Sequence, residues 1–311
     1  AFHITFIPPV LLKHCCASLS FPLTALFNSS LKSGIFPEHW KSSYITPIHK
    51  SGDKSKVNHY RPICTISTIP KTFEKLVVSL VYPEISRYIV PEQHGFVRCR
   101  STVTDLLVFQ EYVMKGFEER LQVDVISTDY SKAFDKLSHR HVLLLLESLG
   151  IHGAFLRWLT SYLTGRQLRV RIKNTFSRPF VASSGVPQGS HIGPLIFLIM
   201  INGVSKLSTD VKFLIFADDL KIFSYIRTSE DCQRLQGCLD RLGVWCTRIT
   251  FFITRVNARL PPSHEPEFPY FVTIFSRVLF WLGYLLHVIW ESSSMRSYPF
   301  PFTWTLYRGG L

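Results

Sequence analysis

Asp218 and Asp219 stand side by side between two apolar runs, Val211 to Ala217 and Leu220 to Ile226. That pattern reads as a β-hairpin with two carboxylates at its tip. Strand stability asks for nothing of the kind, because adjacent anions repel and a structural turn would use Asn-Gly or Asp-Gly. A third carboxylate, Asp129, ends a short apolar strand that starts at Val123 and opens the run DYSKAFD to Asp135. If the two strands are sheet neighbours, the three carboxylates converge. Mg²⁺ takes oxygen ligands and binds through a few carboxylates together with substrate phosphates. Two such ions about 3.5 to 4 Å apart can stabilise the attacking and leaving oxygens of phosphoryl transfer. Taken alone, the Asp218-Asp219 pair also admits the lesser reading of a solvated acidic turn.

The elements that must hold these residues follow from pattern. Ile69 to Ile89 reads as a helix disturbed at Pro83, and Thr102 with Asp105 as the capping box of a second helix. A leucine-rich helix follows the Asp129 strand and stops at Gly150. Gln167 to Lys173 alternates polar residues with Leu168, Val170 and Ile172, as a half-exposed strand with a basic outer face. Pro194 suits the first position of a long apolar helix. Ser229 caps a last helix whose buried stripe is Leu235, Leu239, Leu242 and Cys246. Strand, helices, hairpin and helix together predict an α+β fold related to the ferredoxin-like arrangement.

Composition sets the outer bounds. A chain of 311 residues, 46% hydrophobic and 18% charged, is globular, and its formal charge of +13 suits a polyanionic partner. A solvated cationic face accounts for the charge equally well. Seven cysteines, without a C-x-x-C pair, argue against a disulfide framework or a zinc site and for a reducing compartment. The opening apolar stretch, broken by Lys13 and His14, is not read as a signal peptide. Beyond about residue 250 aromatics and prolines crowd the chain, and the last lysine is Lys221. The apolar run Val278 to Trp290 is too short for a membrane span.

DYSKAFD, SGVPQGS from Ser184 to Ser190, and FADD from Phe216 to Asp219 occur in the order of reverse-transcriptase motifs. WKSSYITPIHKSGD from Trp40, HYRPICTIS from His59 and HGFVRCRST from His94 resemble the fingers of enzymes from non-long-terminal-repeat (LINE-type, jockey-like) retrotransposons. The resemblance runs from about Ile7 to Cys246, taking in PLTALFNSSLKSGIFPEHW and YLTGRQLRVRI. It implies an RNA-directed DNA polymerase with the α+β fingers and palm of a right-hand polymerase. Residues 1–120 would be fingers and N-terminal extension, 121–250 palm, and 251–311 an unassigned tail. Asp129, Asp218 and Asp219 would be the catalytic and metal-binding residues for two Mg²⁺ ions, with Mn²⁺ as a substitute. Lys50 and Arg61 would meet the incoming deoxynucleotide triphosphate, and Phe134 would exclude a ribose 2′-hydroxyl. Gln188 and Gly189 would touch the nascent base pair and template, and Arg169, Arg171 and Lys173 a phosphate backbone. The partners implied are an RNA template, a DNA primer and deoxynucleotides, inside the cell in nucleus or cytoplasm.

Two departures qualify that expectation. Asn202-Gly203 stands where the family often carries Asn-Asp, and after Trp245-Cys246 the family's lysine is missing, with Arg255 the nearest cation. No thumb is recognisable. A catalytically silent, nucleic-acid-binding remnant is therefore the rival reading, and weak, distributive synthesis is the expectation for the chain as written.

Overall fold

Residues 7–130, 132–249 and 253–258 are described by the computed structural model, which at Asp129 and along the last strand gives the backbone alone. The chain opens with helices α1 (Pro9–His14) and α2 (Cys16–Ser33), then strands β1 (Ser42–His49) and β2 (Tyr60–Thr65). Helices α3 (Thr68–Ser86) and α4 (Thr102–Glu118) lead to β3 (Gln122–Tyr130), α5 (His139–Ser148) and α6 (Gly153–Leu163). Next come β4 (Gln167–Ile172), β5 (Thr175–Phe176), β6 (Phe180–Val181) and α7 (Ile192–Ile201). The hairpin β7 (Lys212–Phe216) and β8 (Asp219–Ile226), helix α8 (Ser229–Arg248) and β9 (Ile253–Ala258) complete it.

Two sheets organise this mixture of helices and strands. One has the order β7-β8-β3-β9; in the other β2, β1, β4 and β5 are successive neighbours and β6 pairs with β4. Alternation along the first sheet sends Ile126, Tyr130, Phe213, Ile215, Leu220 and Ile222 into the main core, which α5, α7 and α8 complete. On its other face Val123, Leu214 and Phe223 pack against Phe109 and Val113 of α4. With both faces covered, only the ends of this sheet can present polar chemistry.

Several boundaries differ from the sequence expectation, each for a local reason. α3 carries Pro83 without breaking. α4 is capped one residue early: Ser101 accepts the Thr104 N–H, and the Thr104 hydroxyl takes the Ser101 N–H at 2.9 Å. Asp105 instead turns to the sheet and pairs with Lys221 at 2.7 Å. α7 starts at Ile192, two residues before Pro194, because Ser190 Oγ accepts the Gly193 N–H and Glu74 accepts the His191 N–H. α8 has Thr228 rather than Ser229 at its cap, with the Asp231 carboxylate reaching back to the Thr228 N–H. Leu239 is only partly buried and Cys238 takes its place in the stripe. Strand β4 pairs in parallel with β1, so the basic strand joins the sheet of β1 and β2 rather than that of the carboxylates. β9 extends the carboxylate sheet into the segment the sequence left unassigned. Val278 to Trp290 lies outside the described residues, among which no helix is long and apolar enough to cross a membrane.

Asn202-Gly203 has a packing explanation. The Asn202 side chain donates to the Tyr88 carbonyl and accepts the Val90 N–H at 2.7 Å, tying down the segment that follows α3. A Cβ on Gly203 would sit 3.0 Å from Trp245 Nε1, so the indole occupies the space a larger residue would need.

Beneath the start of α7, Glu74 is fully buried at 0% exposure and Arg166 nearly so at 2%. Burial pushes the Glu74 carboxyl up, while the Arg166 guanidinium and the His191 N–H pull it back. Removing one member of such a buried set leaves the other charge uncompensated. Glu74→Leu is therefore expected to lose about 3 to 5 kcal/mol of unfolding free energy in urea titration; a loss below about 1 kcal/mol would show that the charge is not compensated by Glu74.

Candidate active site

Register builds the site. In the antiparallel pair of β3 and β8, Asp129 is directly opposite Asp219. Residues so placed hold their Cβ atoms about 5 Å apart. Asp219 is also the partner of Phe216 across the β7–β8 hairpin, which leaves Ala217 and Asp218 as its two-residue turn. Ala217 has φ of 55° and Asp218 does not share the sign. One positive φ at the first central residue is what a type II′ turn requires, and it costs a non-glycine residue about 1 to 2 kcal/mol. The three carboxylate residues are thus gathered at one end of one sheet. Among the described residues no three His, Cys, Asp or Glu side chains form a metal-holding group, Asp129 entering by its backbone position alone.

The loop SGVPQGS docks beside this end. Asp135, in the turn after β3, accepts from Gln188 Nε2 at 2.8 Å through Oδ1, and its carbonyl accepts from Ser184 Oγ at 2.9 Å. Burial raises the Asp135 carboxyl above its usual range, against the pull of the Gln188 amide. The Val186 N–H donates to the Phe134 carbonyl at 2.9 Å. Gln188 uses its own carbonyl to accept the Cys64 N–H of β2 at 2.7 Å. One loop thereby bolts the carboxylate strand's turn to the second sheet. Phe134 is half-buried, stacked on Phe197 with ring centres 4.5 Å apart and edge-on to Phe96 at 6.1 Å.

Lys50 and Arg61 are exposed on the β1–β2 hairpin, where Arg61 pairs with Ile48 and the Lys50 N–H reaches the His59 carbonyl. By strand alternation they fall on one face. Arg169 and Arg171 are partly covered: Arg169 lies over Phe176 and donates to the Ser177 carbonyl, and Arg171 lies over Tyr44. Their strand is in the second sheet, away from the register that gathers the carboxylates. Lys221, the last lysine, is engaged with Asp105, and Arg255 is the β9 partner of Asp129 in the backbone register.

A model of the family "Reverse transcriptase (RNA-dependent DNA polymerase)" matches residues 48–255. The chain belongs to this reverse transcriptase family. A probable RNA-directed DNA polymerase from transposon BS of Drosophila melanogaster is 30% identical over 246 residues, covering 76% of this chain. The RNA-directed DNA polymerase from mobile element jockey of the same species is 26% identical over 247 residues, again 76% of this chain. These relatives put this reverse transcriptase with the non-long-terminal-repeat branch. The chain spans only 27% and 26% of their lengths. Apo telomerase from Candida tropicalis, truncated from its C-terminal domain, has the same fold at TM-score 0.53 and 12% identity, over 79% of this chain and 56% of that one.

Sequence reasoning passed over Glu74, Asp135 and Cys64 as supports of the loop. A buried carboxylate in a helix and a backbone donor in a strand leave no local pattern. Gly189, with φ of 109°, does carry a signal: a Cβ there would meet the Cys64 carbonyl oxygen at 2.9 Å. Gly189→Ala in this reverse transcriptase should therefore push the loop off β2 and cut primer extension at least about tenfold. Wild-type extension by a folded Gly189→Ala protein would show that the contact is dispensable.

Proposed function

We propose that this chain is the catalytic core of a LINE-type reverse transcriptase, copying an RNA template onto a DNA primer. The observation that carries the reading is the register that sets Asp129 against Asp219 with Asp218 in the adjoining turn. The first sheet with its helices is the palm, and the β1–β2 hairpin with its neighbours the fingers. Carboxylate oxygens are the donor type that suits Mg²⁺ and accommodates Mn²⁺. When bound, two such ions would polarise the primer hydroxyl and the triphosphate and neutralise developing charge. The protein's own work is positioning. Asp129, Asp218 and Asp219 hold the ions, Asp219 least directly, and exposed Lys50 and Arg61 receive the triphosphate. Gln188 and Gly189 lie against the nascent pair and template, held there by Asp135 and Cys64. Arg169, Arg171 and Lys173 meet a phosphate backbone.

The reaction joins the primer 3′-hydroxyl oxygen to the α-phosphorus of a deoxynucleotide and releases pyrophosphate. A silent remnant is not favoured, since the three carboxylate positions are present and adjacent. The site of action would be inside the cell, in the nucleus or cytoplasm.

Primer extension on a homopolymer RNA template with Mg²⁺ tests the reading. The wild-type chain is expected to incorporate deoxynucleotides. Asp129→Asn and Asp218→Asn are each expected to abolish incorporation and leave RNA affinity within about twofold, because affinity comes from cations meeting phosphates. Undiminished extension by either variant overturns the assignment.

Phe134→Val tests the sugar contact separately. Shortening the ring that Phe197 and Phe96 support should raise ribonucleotide use relative to deoxynucleotide use by about tenfold or more. An unchanged ratio in an active variant would make Phe134 a core residue only.

A further inference from the structure

We propose that Gln93 is a positioning residue for Asp218, acting through the backbone of Ala217; this rests on the reading of Asp218 as a metal ligand. Gln93 is buried to 1% exposure, and its Oε1 accepts two backbone hydrogens, from Gly95 at 2.7 Å and from Ala217 at 3.0 Å. Ala217 is the residue whose left-handed φ makes the turn that carries Asp218. Ala217 lies in the turn beyond the last β7–β8 pair, and its N–H is taken by the Gln93 amide oxygen.

Gln93 is itself held from three sides. It bridges Ile215 in parallel, with the His94 N–H on the Ile215 carbonyl at 2.7 Å and the Ile215 N–H on the Glu92 carbonyl at 2.9 Å. Arg100 Nη1 donates to the Pro91 carbonyl at 2.5 Å and to the Gln93 carbonyl at 2.6 Å, closing the loop on itself. Gly95 lets this segment lie flat on the turn, since a Cβ there would run into the Ala217 backbone nitrogen. The basic stretch from His94 to Arg100 is therefore a brace behind the carboxylate turn, and at Arg100 its cation serves backbone carbonyls.

A turn held only by its own two residues would sample other conformations and carry Asp218 with it. Losing one buried acceptor leaves two amide hydrogens unmatched, and the resulting cost corresponds to about a tenfold change in an equilibrium constant. Gln93→Met keeps the side-chain length and removes the acceptor.

The test uses the full chain with primer-template and an unreactive deoxynucleotide analogue, and reads Mn²⁺ binding by electron paramagnetic resonance. Gln93→Met is expected to weaken Mn²⁺ binding about tenfold and to raise the Mg²⁺ concentration for half-maximal extension by a similar factor, with RNA affinity unchanged. A purely structural role would lower the melting temperature without moving the metal dependence. If Gln93→Met gives no cooperative melt, Gln93→Asn, whose amide is withdrawn by one methylene, is read by the same two criteria. Wild-type Mn²⁺ affinity and Mg²⁺ dependence in the folded variant overturn the proposal while Asp218→Asn remains inactive and metal-poor. An active Asp218→Asn overturns the metal-site reading itself, and the proposal with it.

Discussion

Like charge at the end of one sheet is the constraint to which the rest of this structure answers. Like charges directly opposite one another across a strand pair are destabilising. A favourable cross-strand pair contributes about 0.2 to 1 kcal/mol, so the pairing of Asp129 with Asp219 cannot be a local preference of β3 and β8. It is imposed by the apolar partners further along the same strands, Ile126 against Ile222 and Val125 against Phe223. Sliding the register by one residue would send those side chains to the wrong faces. The core thus fixes where the acidic residues stand.

The supports around the site are hydrogen bonds rather than ion pairs. Gln188 donates to the Asp135 carboxylate and accepts the Cys64 N–H, which links the loop, the turn after β3 and the second sheet. The buried Glu74 carboxyl and Arg166 guanidinium are set deeper, under the start of α7, where Glu74 accepts the His191 N–H. Lys221, only two residues from Asp219 along β8, is matched by Asp105 of α4. Lys50 and Arg61, both exposed, are on the β1–β2 hairpin of the other sheet.

What the sequence made legible was whatever period and order encode. The β7–β8 hairpin, β3 and the order of the three motifs were readable because apolar alternation and acidic residues at strand ends are local patterns. The placement of β4 was not, because a half-exposed strand looks alike in either sheet and only its parallel pairing with β1 decides. Caps were off by one or two residues where a side chain from elsewhere competed, as Lys221 did for Asp105 and Glu74 did for the start of α7. Gln93 was invisible for a different reason. Its role is to accept from Ala217, which lies far along the chain, and nothing about a neutral amide in a basic loop points there.

The parallel pairing of β1 with β4 also governs how the polypeptide can be made. The chain lays down β1 and β2, leaves to form β3, α5 and α6, and only then returns with β4 to the edge of β1. A nascent chain must keep that β1 edge unpaired throughout the interval, and an open strand edge is a template for misassociation. The first sheet is no better placed, since β3 has to wait for β8. Each sheet is interrupted by synthesis of the other, so no single cut would release either as an independent folding unit. Emergence from the ribosome, rather than local helix or hairpin formation, sets the earliest moment at which this topology can close.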